Sequence, residues 1–209
     1  MSTNRQAGQP VKVGRLLQSG IASFKVAVPV SQVDALAYGS LVLVPVSSDL
    51  TIYGVIAEIA FQSDPLTRVM AGAADIPQST FDSLRAQGAN VELSVFTVGY
   101  EMRGAIFHSL PPRPPLGLDE LRPCTAEQVV AFTTDQLYLR HIFNKLDDPL
   151  VVDLVAAHLA IVQAVHPGKD QPRWLDKAIG ALVEDNKRDP GLVRVLLSLQ
   201  ATLPQDVLP

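Results

Sequence analysis

The chain has 209 residues, 47% of them hydrophobic and 18% charged, with 17 Lys and Arg against 21 Asp and Glu for a formal net charge of -4. That is enough apolar material for a packed core, which excludes wholesale disorder. The basic excess with which nucleic-acid binders draw phosphates is missing from both halves: residues 1–110 carry 7 basic and 8 acidic side chains, residues 111–209 carry 10 and 13.

The single cysteine, Cys124, excludes an internal disulfide framework and fits a reducing compartment, so a cytoplasmic protein is expected. The N-terminal MSTNRQAGQP has no apolar secretory segment. The most apolar run, Leu150 to Val165, holds Asp153, His158 and Gln163 and falls short of the roughly 20 residues a membrane span needs. No membrane association is expected.

Residues 1–9 read as a tail, and a β-rich unit is expected over 10–110. VKVGRLL, ASFKVAV, SLVLVPV and TIYGVIAEIAF are rich in β-branched and aromatic residues and are separated by turn formers. In the second of these, Phe24, Val26 and Val28 alternate with Ser23, Lys25 and Ala27, so one face should be buried. Ser47-Ser48-Asp49 predicts a hairpin between the third and fourth strands, and Gly54 predicts a bend or bulge where a small barrel curls.

A short strand is expected near Thr67–Met70 and a short helix over Pro77–Gln87. NVELSVFTVGYEM follows as the cleanest strand, with Val91, Leu93, Val95, Thr97 and Gly99 on one face and Glu92, Ser94, Phe96, Val98 and Tyr100 on the other. Gly104 should turn the chain into a last strand at Ala105–His108. Five to seven short strands with little helix between them predict a small antiparallel β-barrel or a sandwich.

Pro111, Pro112, Pro114 and Pro115 then predict a stiff extended connector over 111–123, taken as the domain boundary and lying along its own barrel. A helical bundle is expected over 124–203, followed by a tail at 204–209. Thr125 and Gln128 match a capping box opening a helix to Phe132, and a second helix is expected from Asp135 to Leu146. Asp148-Pro149 caps a helix to Val165 that is apolar around most of its circumference, as a central bundle helix would be. Next comes a helix striped with Trp174, Leu175, Ala178, Ile179 and Leu182. A last one, after Asp189-Pro190, carries Leu192, Val193, Leu196, Leu197 and Leu199. The fold class is therefore α+β in two domains, an N-terminal antiparallel barrel and a C-terminal helical bundle.

The chemistry-bearing motifs are absent from the sequence: no GxxxxGK[ST] phosphate loop, GxGxxG, GxSxG, HExxH or CxxC. His158 and His166, eight apart, would sit about 80° apart on one helix and not share a metal. His108, His141, His158 and His166 are read as isolated surface or interface histidines. Cys124 precedes a helix N-terminus that could activate a thiol, but no adjacent base supports a nucleophile. No catalytic, cofactor or metal residue is assigned. The residues singled out for partner contact are Arg113, expected to find a carboxylate or carbonyl, together with Phe96 and Tyr100 on one strand face.

Over residues 10–117, Val13-Gly14-Arg15-Leu16, Phe24-Lys25-Val26, Gly39 through Val44, Tyr53-Gly54-Val55-Ile56, Val98-Gly99-Tyr100 and the proline run resemble, in that order, a HAS-barrel. In that family the barrel precedes the motor of HerA-like ATPases or forms the N-terminal crown of ATP synthase subunits. The layout with a helical tail is also similar to short bacterial proteins. The resemblance implies a module for subunit contact and for docking a nuclease or ATPase, while about 90 helical residues stand where the motor would be. The expectation is a non-enzymatic adaptor in DNA processing with a protein partner. Homo-oligomerisation is left open. A barrel that binds single-stranded nucleic acid directly, and an enzyme with a dispersed or oligomer-assembled site, are the alternatives.

Overall fold

The computed structural model describes residues 13–61, 90–143, 149–166, 171–185 and 191–202. The strand expected at 67–70, the helix expected at 77–87, both tails and the Asp148 cap lie outside these residues. Seven strands form one antiparallel sheet: β1 (Gly14–Ser19), β2 (Ser23–Pro29), β3 (Leu41–Ser47), β4 (Leu50–Phe61), β5 (Asn90–Met102), β6 (Ala105–Phe107) and β7 (Glu120–Pro123). Their order is β2-β1-β7-β3-β4-β5-β6, and β2 also pairs with β5 along its whole length, so the first six close into a barrel. β6 extends β5 as a hairpin outside the ring.

Alternation fills the barrel as the sequence predicts at its start. Phe24, Val26 and Val28 of β2 meet Val42, Val44, Ile52, Ile56, Val91, Leu93 and Val95 in the interior. The hairpin between β3 and β4 turns at Ser48-Asp49, with Ser47 opposite Leu50. β4 shifts register between Tyr53 and Gly54, and across from it Val98 is the unpaired extra residue of β5. That bulge reverses the alternation. Up to Thr97 the odd residues point inward, but Tyr100 pairs with inward-facing Ile52, while Gly99 pairs with outward-facing Tyr53. Phe96 and Tyr100 therefore do not share a face as the uninterrupted pattern predicts.

The proline run does not end the barrel. Glu120–Pro123, expected within the connector, is the strand that closes it, pairing with β1 through Arg15↔Glu120 and with β3 through Leu43↔Arg122.

The helices are α1 (Ala126–Thr133), α2 (Arg140–Phe143), α3 (Pro149–Val165), α4 (Gln171–Asp185) and α5 (Gly191–Thr202), with 3-10 turns at Val30–Ala35 and Gln136–Leu139. The capping box opens α1: Gln128 N donates to Thr125 Oγ1 at 3.3 Å and Thr125 N to Gln128 Oε1 at 2.9 Å. The helix expected from Asp135 instead begins as a 3-10 turn, because the Asp135 carboxylate accepts from Leu137 N and tightens it. α3 is buried around most of its girth and packs against the other helices and β4. The α4 stripe is buried as its spacing predicts, but on α5 Val195 points inward and Val193 and Leu197 outward. That helix is apolar on several faces, so period alone does not choose one; in the rotation adopted, Ser198 donates to Asp153 of α3.

Barrel and helices share one core. Leu41, Leu43, Tyr53, Val55 and Val98, on the outside of the barrel, pack with Phe132, Tyr138, Leu139, Ile142, Leu154, Leu159 and Trp174. β3 is consequently buried on both faces, which accounts for its unbroken apolar run LVLV.

Candidate functional site

Aromatic rings fill the joint between barrel and helices. Phe132 stacks on Tyr53 at 4.4 Å between centroids, takes His108 edge-on at 5.0 Å and leans on Tyr138 at 5.4 Å. Gly99 makes room: a Cβ there would lie 2.8 Å from Phe132 Cζ and 2.5 Å from Phe107 O. Each such ring pair contributes about 0.5–1.5 kcal/mol beyond the area it buries.

The four histidines are built into this joint. His158, fully buried on α3, contacts Gly39 O through Nδ1 at 2.7 Å and Tyr138 Oη through Nε2 at 2.9 Å. A carbonyl only accepts, so Nδ1 carries the proton and Nε2 receives the tyrosine hydroxyl. Burial holds the ring neutral, lowering its pKa to about 4. Gly39 itself sits at φ +86° with α3 so close that a Cβ would lie 2.9 Å from His158 N.

His166 donates from Nε2 to Thr133 Oγ1 at 2.8 Å, since that hydroxyl gives its own proton to Val129 O, and the ring stacks on Trp174 at 5.0 Å. His108 donates to Phe132 O at 2.9 Å, and His141 to His108 O at 3.2 Å. Burial lowers the His141 pKa. Far from isolated, these rings cross-link β-hairpin, barrel loop and helices. Cys124 lies against the same core, and burial pushes its thiol well above the usual range, the opposite of activation by the helix it precedes. Desolvation likewise raises Tyr53 and Tyr138. Among the described residues no three His, Cys, Asp or Glu side chains converge as metal ligands would.

The surface carries its features elsewhere. Between Pro111 and Glu120 the chain lies as a strap on β1, with Pro111 and Pro115 buried and Ser19 Oγ bonding Pro115 O. Leu118 N donates to Leu16 O and Leu16 N to Asp119 O, both at 3.0 Å. The Asp119 carboxylate caps Leu116 N at 2.8 Å, and Arg15 reaches Leu118 O at 3.1 Å and Glu120 at 3.3 Å. This scaffold holds three leucines outward: Leu116 is 59% exposed, Leu118 69%, and Leu17, the extra residue of a bulge in β1, 57%. Leu118 adopts φ +71°, a conformation that costs a residue with a Cβ about 1–2 kcal/mol.

Of the residues singled out from sequence, Arg113 is exposed on the strap and bonds neither carboxylate nor carbonyl among the described residues. Phe96 packs against the barrel–helix core, beside Leu150 and Leu154. Tyr100 packs toward the barrel interior and stacks on Phe107 at 5.0 Å. The three do not form one patch. Leu17, Leu116 and Leu118 carry no sequence signal of their own: a leucine in a strand reads as core, and one beside prolines as ordinary connector, until its exposure is known.

What these observations define is a closed six-stranded antiparallel barrel joined to a helical layer. Compared with protein-family models and with curated proteins, the chain matches none. Among the described residues no helix is long and apolar enough to cross a membrane.

Proposed function

We propose that this protein is a non-enzymatic assembly module that docks another protein through the strap face of its barrel. The observation that carries this reading is Leu116 and Leu118, held outward on a turn pinned by hydrogen bonds, with Leu17 exposed at the bulge of the adjoining β1. Leucines held exposed on a rigid scaffold forgo part of the roughly 1.5–3 kcal/mol that full burial gives each, which a partner's apolar surface recovers. The histidines, by contrast, spend ring nitrogens on internal struts.

The HAS-barrel resemblance supports the same reading and names its partner class. A barrel of that kind contacts subunits, and with helices in place of the motor the partner is a separately encoded HerA-like ATPase or nuclease subunit acting in DNA processing. The lone thiol fits a cytoplasmic setting for it.

The test is affinity capture of tagged wild type and of the Leu116→Ser/Leu118→Ser variant from a bacterial lysate, with and without nuclease treatment. An ATPase or nuclease subunit retained by wild type and lost by the variant is the expected result. Equal retention by both, or partners that vanish on nuclease treatment, would overturn the reading, the latter in favour of nucleic-acid binding.

A further inference from the structure

A pocket of about 300 Å³ opens between the end of α1 and the first turns of α4. Its floor is the stacked pair of His166 and Trp174. Arg173 and Lys177, one helical turn apart on α4, stand on one rim, and Thr134 and Gln136 on the other. In a chain of net charge -4, this concentrates two cations and two hydrogen-bonding side chains around one concavity.

Of the four carbonyls that α1 leaves open at its C-terminus, those of Val130, Phe132 and Thr133 already accept from Thr134, His108 and Trp174, so the cations are not needed for them. Among the described residues neither Arg173 nor Lys177 forms an ion pair with Asp135 or Asp176. The partial positive charge at the start of the 15-residue α4 adds to theirs.

We propose that this pocket binds a small phosphate-bearing ligand, with Arg173 and Lys177 holding the phosphate and the second amide N–H of Gln136, the one not given to Thr134 O, orienting it. The guanidinium offers a planar pair of donors and the ammonium a point charge, the combination that phosphate oxygens accept best. The cavity lies at the lower end of the range for metabolite-sized ligands, and two cations are too few for an extended nucleic-acid track.

Trp174 is the only tryptophan in the chain, so its emission reads this pocket directly. Inorganic pyrophosphate is titrated at ionic strength held constant with NaCl, with a single-stranded oligonucleotide in a parallel arm. The expected result is a saturable change in emission with pyrophosphate, its half-saturation raised at least about tenfold in the Arg173→Gln/Lys177→Gln variant. Both side chains are exposed, so circular dichroism should be unchanged. No saturable change up to about 10 mM, or the same half-saturation in the variant, overturns the proposal. A response to the oligonucleotide alone overturns it too, and assigns the cations to a nucleic-acid backbone.

Discussion

Acidification should loosen the joint between barrel and helices through His158. Its ring is neutral in the fold, with a pKa of about 4 against an ordinary 6.5, because burial penalises the charge. Protonation would place a second N–H on Nε2, where the Tyr138 hydroxyl now donates, and would charge a site with no carboxylate among its hydrogen-bond partners. The unfolded chain takes up this proton below pH 6.5 and the folded one only near pH 4, so the stabilisation is complete above 6.5 and is lost as pH falls.

The loss grows down to pH 4 and reaches about 3 kcal/mol, from 1.36 kcal/mol per pH unit of displacement. That is a large part of an ordinary domain's stability. His141, lowered in the same direction, adds to it. Urea unfolding at pH 7.5, 6.5, 5 and 4 for wild type and His158→Gln measures the difference. The variant should be less stable at pH 7.5 by about 1–3 kcal/mol, having broken a buried pairing, yet lose less on acidification. Parallel pH dependences in the two proteins would refute the assignment.

Three other perturbations probe the same construction. Phe132→Ala removes the ring that Tyr53, His108 and Tyr138 share and should lower stability by about 3–5 kcal/mol in urea unfolding. Thr125→Ala breaks the capping box of α1 and should cost about 1 kcal/mol by the same assay, with Thr125→Ser close to wild type. Cys124, desolvated against the core, should react with a thiol reagent roughly a hundredfold or more slowly in the folded protein than in denaturant. Labelling at the rate of a free thiol would place it at the surface instead.

Local patterns made the elements legible where a single rule governs them. The alternation of Phe24, Val26 and Val28, the Ser48-Asp49 turn, the Thr125–Gln128 box and the α4 stripe each depend on neighbours a few residues away. β7 was hidden for the opposite reason. ELRP is four residues long, follows a proline run, and owes its conformation to β1, more than 100 residues earlier. The bulge at Val98 carries no residue signature of its own, yet it sends Tyr100 away from Phe96 and so undid the shared face expected of them. His158 interrupts the apolar run of α3 along with Asp153 and Gln163, and from sequence it reads as an isolated surface or interface histidine. That its partner is the carbonyl of Gly39, 119 residues back, follows only from the fold.

The strap matters most to the functional account, because leucines on a wandering linker and leucines on a pinned turn mean different things. Amide hydrogen exchange on the isolated protein separates the two. If β7 closes the barrel, the amides of Leu16 and Leu118, and those of β7 facing β1 and β3, should exchange only with global or near-global unfolding, as slowly as the centre of β4. Exchange in the strap and β7 at the rate of an open chain, with β4 still protected, would contradict both the closed barrel and the rigid docking surface built on it.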